Sequence, residues 1–279
     1  MIPAKFDYVR PGSLDEAVSA LAGGGDDAKV IAGGQSLLPL LRLRLAYPEL
    51  LVDVGGLDEL RGVTDAGDAL VIGARTTLYD LVRDPLVAEH AGIFAQTASV
   101  VADPAVRHRA TLGGALAHAD PAGDLPAVAL ALDAALVVRG PGGEREIPAP
   151  DFFVDYLTTS LAPDEILTAV RVPKLGPGWG YRYEKFHRTA QAWATVGVAA
   201  PVRRSNGSVA EARIGLTNMG PTPLRARASE QALADGASAA EAAELAAEGT
   251  EPGEDVHADR DYRRHLARVL TRRALEHRT

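Results

Sequence analysis

The sequence predicts an α+β chain: two α/β lobes, residues 1–57 and 58–177, followed by a C-terminal domain, 178–279, with a small antiparallel sheet and helices. Three observations predict it. Short apolar runs alternate with capped, helix-spaced segments as far as ILTAVRVP, residues 166–173. The composition then shifts at LGPGWG, residues 175–180. Beyond that point strand candidates come first and an Ala/Glu-rich helical stretch comes last.

In the first lobe, SLDEAVSALA reads as a helix capped by Ser13, with Glu16 placed for a capping box. GGGDD breaks it, AKVIA follows as a strand, LLPLLRLRLA as a helix or long apolar turn, and LLVDV as the next strand. The second lobe opens with ELRGV and ALVIGA around the turn TDAGD. TTLYDLVRDP is a Thr-capped helix, residues 86–101 keep helical spacing, and AALVVRG with EREIPA forms a hairpin around PGG. The third segment offers GYRYEKFHR, ATVGVAAPVRR and VAEARIGLTN as strands, with SNGS as the second connection. DYRRHLARVLTRRALEHR is an amphipathic terminal helix, and helices on one face of the sheet are expected.

Composition narrows function. With 47% hydrophobic residues among 279, the chain can bury a substantial core. A net charge of −8 argues against nucleic-acid binding, which needs a basic surface. There is no cysteine, so the chain supplies no disulfide, thiolate nucleophile or cysteine-held iron–sulfur cluster. It shows neither a secretory signal pattern nor the roughly 18 to 20 consecutive apolar residues of a membrane span. A cytoplasmic location without a transmembrane segment is therefore expected.

Two glycine corners carry the chemistry. IAGGQSLLPL places Gly33, Gly34, Gln35 and Ser36 between a strand and a helix. Glycines there allow positive φ and close approach, and successive N–H groups make a nest for an anion. Ser36 is a helix cap or a phosphate donor, and Pro39 fits the first turn. The segment is neither G-x-G-x-x-G nor a P-loop. Thr111, Leu112, Gly113, Gly114 and Ala115 repeat the pattern, and Asp124 is placed to cap the apolar helix beyond, with Pro126 in its first turn. Two nests on separate lobes suit a ligand with two linked phosphates, so dinucleotide binding is the better reading. His108 and His118 flank the second corner at no metal-ligand spacing, and no G-x-S-x-G elbow is present.

The ordered segments VIAGGQSLLPLLRLRLAYPELLVDV, VIGARTT, DPAVRHRATLGGALAHADPAGDLPAVALALDA, DFFVDYLTTSLAPDEIL and YEKFHR resemble the FAD-binding medium subunit of molybdenum hydroxylases, the xanthine dehydrogenase family, in its aerobic carbon monoxide dehydrogenase branch. The resemblance implies a two-lobed FAD-binding region of the vanillyl-alcohol-oxidase (PCMH) type. It implies that Ala32, Gly33, Gly34, Gln35 and Ser36 hold the FAD pyrophosphate from one side, and Thr111 to Ala115 from the other. Asp124 would lie near the ribityl chain or flavin, Leu161 by the isoalloxazine, and Lys185 near its polar edge. Trp193 falls where related chains can shield a flavin face; the buried core of the third domain is its weightier alternative.

The resemblance also implies a redox role with no catalytic residue for substrate hydroxylation in this chain. A molybdenum-binding large subunit and a small subunit with [2Fe–2S] clusters would complete a heterotrimer, itself paired into a dimer. FAD would be held non-covalently, since there is no cysteine and Ser36 stands beside the cofactor where a histidine would be needed. Valine at Gly33 or Gly34 is expected to leave a folded chain without flavin. A stand-alone flavin oxidoreductase and a flavin-free assembly subunit are the alternatives.

Overall fold

The computed structural model describes residues 2–205 and 208–277. Its first sheet is parallel, with β1 (Asp7–Val9) and β2 (Ala28–Ile31) flanking β3 (Leu50–Asp53). Parallel neighbours need crossovers. Those crossovers carry α1 (Leu14–Gly24) and α2 (Leu37–Leu43). α1 buries Ala17, Val18 and Leu21, residues one helical turn apart, against the sheet. Ser13 Oγ accepts from Glu16 N at 3.2 Å, as a cap should, but the Glu16 carboxylate accepts from Gly12 N instead of Ser13 N. β1 escapes sequence reading because three residues, two of them exposed, carry no periodic signal.

The second sheet is antiparallel, in the order β4 (Val63–Asp65), β5 (Ala69–Gly73), β10 (Ile166–Pro173), β6 (Ala135–Gly140) and β7 (Gly143–Pro148). The β6–β7 turn is the expected hairpin, closing Gly140 on Gly143. Between β5 and β6 run α3 (Leu78–Arg83), α4 (Pro85–His90), α5 (Gly92–Ser99), α6 (Pro104–Arg107), α7 (Leu112–His118) and α8 (Asp124–Ala131). Thr77 caps α3 through Asp80 N, and the apolar run 86–101 breaks into two helices at Ala91. Every residue of α8 is buried, so this helix lies inside the molecule. A short helix, α9 (Ala149–Phe152), and a small hairpin, β8 (Phe153–Asp155) with β9 (Thr158–Thr159), lead into β10.

The third sheet runs β11 (Trp179–Phe186), β12 (Val196–Ser205), β14 (Gly215–Thr217) and β15 (Leu224–Arg225), with β13 (Ser208–Ala212) also paired to β12. VAEARIGLTN, read as one strand, is therefore two. The SNGS connection falls on residues 206–207, outside the described residues. α10 (Arg227–Ala234), α11 (Ala239–Glu244) and α12 (Arg260–Glu276) follow. The sheet is covered on both faces, not one as expected. Val198, Ala200 and Val202 pack with α12, while Ala199 and Tyr183 join the core of the second sheet around α8. That is why the middle of β12 is buried without alternation. No helix among the described residues is long and apolar enough to cross a membrane.

Candidate functional site

A cleft of about 520 Å³ opens where the first sheet, the second corner, the start of α8 and the end of β11 meet. Ala32, Gly33, Gly34, Gln35 and Ser36 line it from the first sheet. Thr111, Gly113, Gly114 and Ala115 line it from α7, and Asp124, Leu161 and Lys185 complete the wall. The fold thus brings together twelve of the thirteen residues singled out in the sequence. The exception is Leu112, which is fully buried in the core and spends its N–H on Thr76 O at 3.0 Å.

The two corners differ in what their backbones offer. At the first, the N–H groups of Gly33, Gly34, Gln35, Ser36 and Leu37 have no acceptor among the described residues. Gly34 has φ +74°, and Ser36 stands at the N-cap of α2 without a side-chain cap bond. At the second corner the donors are committed. Gly113 N donates to Ala74 O at 2.8 Å, Gly114 N to Thr111 Oγ1 at 3.1 Å and Ala115 N to Thr111 O at 3.0 Å. The expectation of a second N–H nest is corrected: Thr111 caps α7, and Leu112 N and Gly113 N latch the helix to the turn after β5.

The glycines also serve packing. A Cβ at Gly33 would overlap the carbonyl of Arg109, and one at Gly113 would overlap Ala74. Valine at Gly33 therefore has to push the Arg109 backbone aside, so a cost in stability is expected at that position beside the loss of flavin. At Gly34 the positive φ alone strains any substitution.

Asp124 does not cap α8; Gly123 holds that position and Asp124 is the first helical residue. Its carboxylate is taken by the C-terminal sheet instead, accepting from Tyr183 Oη at 2.6 Å and Lys185 Nζ at 2.8 Å. Both members of the ion pair are buried, at 4% and 5% side-chain exposure. Burial raises the Asp124 carboxyl above its ordinary value, while the Lys185 ammonium and the two hydrogen bonds pull the other way. Burial, then the neighbouring carboxylate, holds the Tyr183 hydroxyl well above its usual value, so it stays a donor. Tyr183 carried no sequence signal of its own; its spacing of two from Lys185, which puts both on one strand face, could have found it.

Trp193 is not in a core. It is 55% exposed on the connection between β11 and β12, lines the cleft, and faces His118 with ring centroids 6.5 Å apart. Glu165, on the wall beside Leu161, is held by Arg145 through two bonds of 2.7 Å, and that partner keeps its carboxyl below the usual range.

A row of free N–H groups, a bed of absent or short side chains, an apolar wall at Leu161 and a charged pole at Asp124 and Lys185 fit a long cofactor with a phosphate middle and an aromatic ring. Residues 4–175 match the family described as the FAD binding domain in molybdopterin dehydrogenase, and residues 181–277 match the CO dehydrogenase flavoprotein C-terminal domain. The chain belongs to this family, the flavoprotein medium subunits of molybdenum hydroxylases.

Among its relatives, the carbon monoxide dehydrogenase medium chain of Hydrogenophaga pseudoflava is 42% identical over 99% of this chain and 97% of its own length. The 6-hydroxypseudooxynicotine dehydrogenase complex subunit alpha of Paenarthrobacter nicotinovorans is 38% identical over 99% and 95%. A solved structure of the Hydrogenophaga pseudoflava carbon monoxide dehydrogenase superposes with a TM-score of 0.95, at 44% identity, covering 99% of this chain and 97% of that one.

Proposed function

We propose that the cleft holds FAD without a covalent bond and that the chain relays electrons. They come from [2Fe–2S] clusters on a small partner subunit, after a molybdenum-binding large subunit has oxidised the substrate, and leave to an external acceptor. The observation that carries this reading is the convergence of the first corner's five free N–H groups, Leu161 and the Asp124–Lys185 pair on one cleft.

In this reading Ala32 to Ser36 line the pyrophosphate, and the free N–H groups of Gly33 to Leu37 and the Ser36 hydroxyl are presented to it. Thr111, Gly113, Gly114 and Ala115 close the other side by shape, their small side chains leaving room for the phosphates. Leu161 gives the ring an apolar wall and Trp193 an aromatic cover. When bound, the flavin takes up one or two electrons, so it can join one-electron donors to a two-electron acceptor. Lys185 would hold a cation at the flavin, and that charge would favour its reduction. The cleft wall excludes bulk water around that pair and strengthens its field.

Domain limits at 57/58 and 177/178 belong to the same proposal, as do a cytoplasmic location and a dimer of heterotrimers. The purified chain tests the cofactor: oxidised-flavin bands in its visible spectrum support the reading, and a colourless protein that takes up no added FAD overturns it. Denaturation in acid should release all the colour to the supernatant. Co-purification from the host, with metal analysis and native mass spectrometry, tests the partners and the assembly. An unchanged flavin potential and reoxidation rate in Lys185→Met would remove the electrostatic role of Lys185.

A further inference from the structure

Lys185 reaches the cleft at the end of a buried relay. β11 carries Tyr183 and Lys185 two residues apart, so both side chains leave the same face of the strand. Both converge on one carboxylate, Tyr183 on Asp124 Oδ1 and Lys185 on Asp124 Oδ2. Lys185 Nζ also donates to Val100 O at 3.3 Å. An ammonium has three N–H donors. Two are committed here, and the third is left for the cleft whose wall Lys185 helps to form.

The neighbouring strand is shaped for this relay. Gly197 stands opposite Lys185 in the β11–β12 register, and a Cβ there would overlap the Tyr183 hydroxyl. Tyr183 N is fixed in turn by Gln96 Oε1 of α5 at 2.6 Å. Tyr183 is 5% exposed and buried with the core around α8. Its hydroxyl is therefore tied to a carboxylate at the start of α8, in a position that only a glycine opposite permits.

We infer that Tyr183 is a positioning residue: through Asp124 it fixes the Lys185 ammonium at the cleft, with Gly197 supplying the space. This rests on the reading of the cleft as a flavin site. With the Tyr183 hydroxyl gone, one Asp124 oxygen is buried without a donor. The carboxylate then competes for the remaining Lys185 N–H, and the charge withdraws from the cleft.

The test uses the full chain loaded with FAD, comparing wild type, Tyr183→Phe, Lys185→Met and the double variant. FAD affinity is read by flavin fluorescence titration and the midpoint potential by dye equilibration. Tyr183→Phe should weaken FAD binding about tenfold and lower the potential in the same direction as Lys185→Met. In the Lys185→Met background it should add little, because it acts through the same group. A lower melting temperature with unchanged affinity and potential would mean that Tyr183 only packs, and fully additive effects would mean that it acts independently of Lys185; either overturns the inference. Should Tyr183→Phe fail to fold, Gly197→Ala carries the same test, displacing the hydroxyl without removing it. Wild-type chain that takes up no FAD brings down the flavin reading and this inference together, whereas normal uptake with an unresponsive Tyr183→Phe brings down this inference alone.

Discussion

The two glycine corners share a sequence logic and do different work. Each pairs two glycines at the start of a short helix, the first after β2 and the second after α6. The first leaves five consecutive N–H groups without an acceptor among the described residues, whereas the second uses its donors to cap α7 and to bind the turn after β5. Only the first has donors to spare for phosphate. A paired-glycine turn thus marks where backbones come close. Whether the close neighbour is a ligand or another part of the chain depends on who accepts the N–H groups.

The largest expected effects separate packing from binding. Gly113→Val drives a side chain into Ala74, whose carbonyl would lie 2.8 Å from the new Cβ, and should cost about 3 kcal/mol of stability in the FAD-free chain. Chemical denaturation measures it. Gly33→Val should also lower the melting temperature, because the Arg109 carbonyl occupies the Cβ position. Loss of flavin at an unchanged melting temperature would show that the first corner is built for its ligand alone.

Paired hydroxyl deletions sharpen the contrast. Thr111→Ala removes the cap on Gly114 N and should destabilise the FAD-free chain by about 1 kcal/mol, with little change in FAD affinity. Ser36→Ala should do the reverse. Its hydroxyl caps nothing, so the melting temperature of the FAD-free chain stays put while FAD affinity falls about fivefold. Calorimetry with and without FAD reads both. If Ser36→Ala melts early, the first corner is structural after all.

The smallest effect comes from a site away from both corners. Arg145 holds the Glu165 carboxyl below its ordinary value of 4.5. A lowered folded-state value means that the unfolded chain binds more protons in acid. Stability from this pair is therefore present above the ordinary carboxylate value and is lost as pH falls through the lowered one. Glu165→Gln should flatten the acid limb of stability against pH, read by denaturation of the FAD-free chain across the acid range.

Much of this was legible beforehand. Caps at Ser13 and Thr77, the β6–β7 hairpin and the terminal helix are local features, set by residues within a few positions of each other. The cleft wall was legible because its members sit in short, distinctive runs. The destiny of Asp124 was not. Next to an apolar helix it reads as a cap, yet its partners lie 59 and 61 residues away on another sheet. Trp193 misled in the opposite direction: an aromatic side chain suggests a core, and this one stands half in solvent over the cleft.

By itself, the sequence determined most of the longer elements, the positions of both corners and the family, because periodicity, caps and turn residues act over short range. Only the tertiary structure decided which corner keeps its N–H groups free, that both faces of the third sheet are covered, and that Asp124 joins Tyr183 and Lys185 instead of capping α8. Those outcomes depend on hydrogen-bond partners and packing neighbours that lie far apart in the chain, and only folding brings them together.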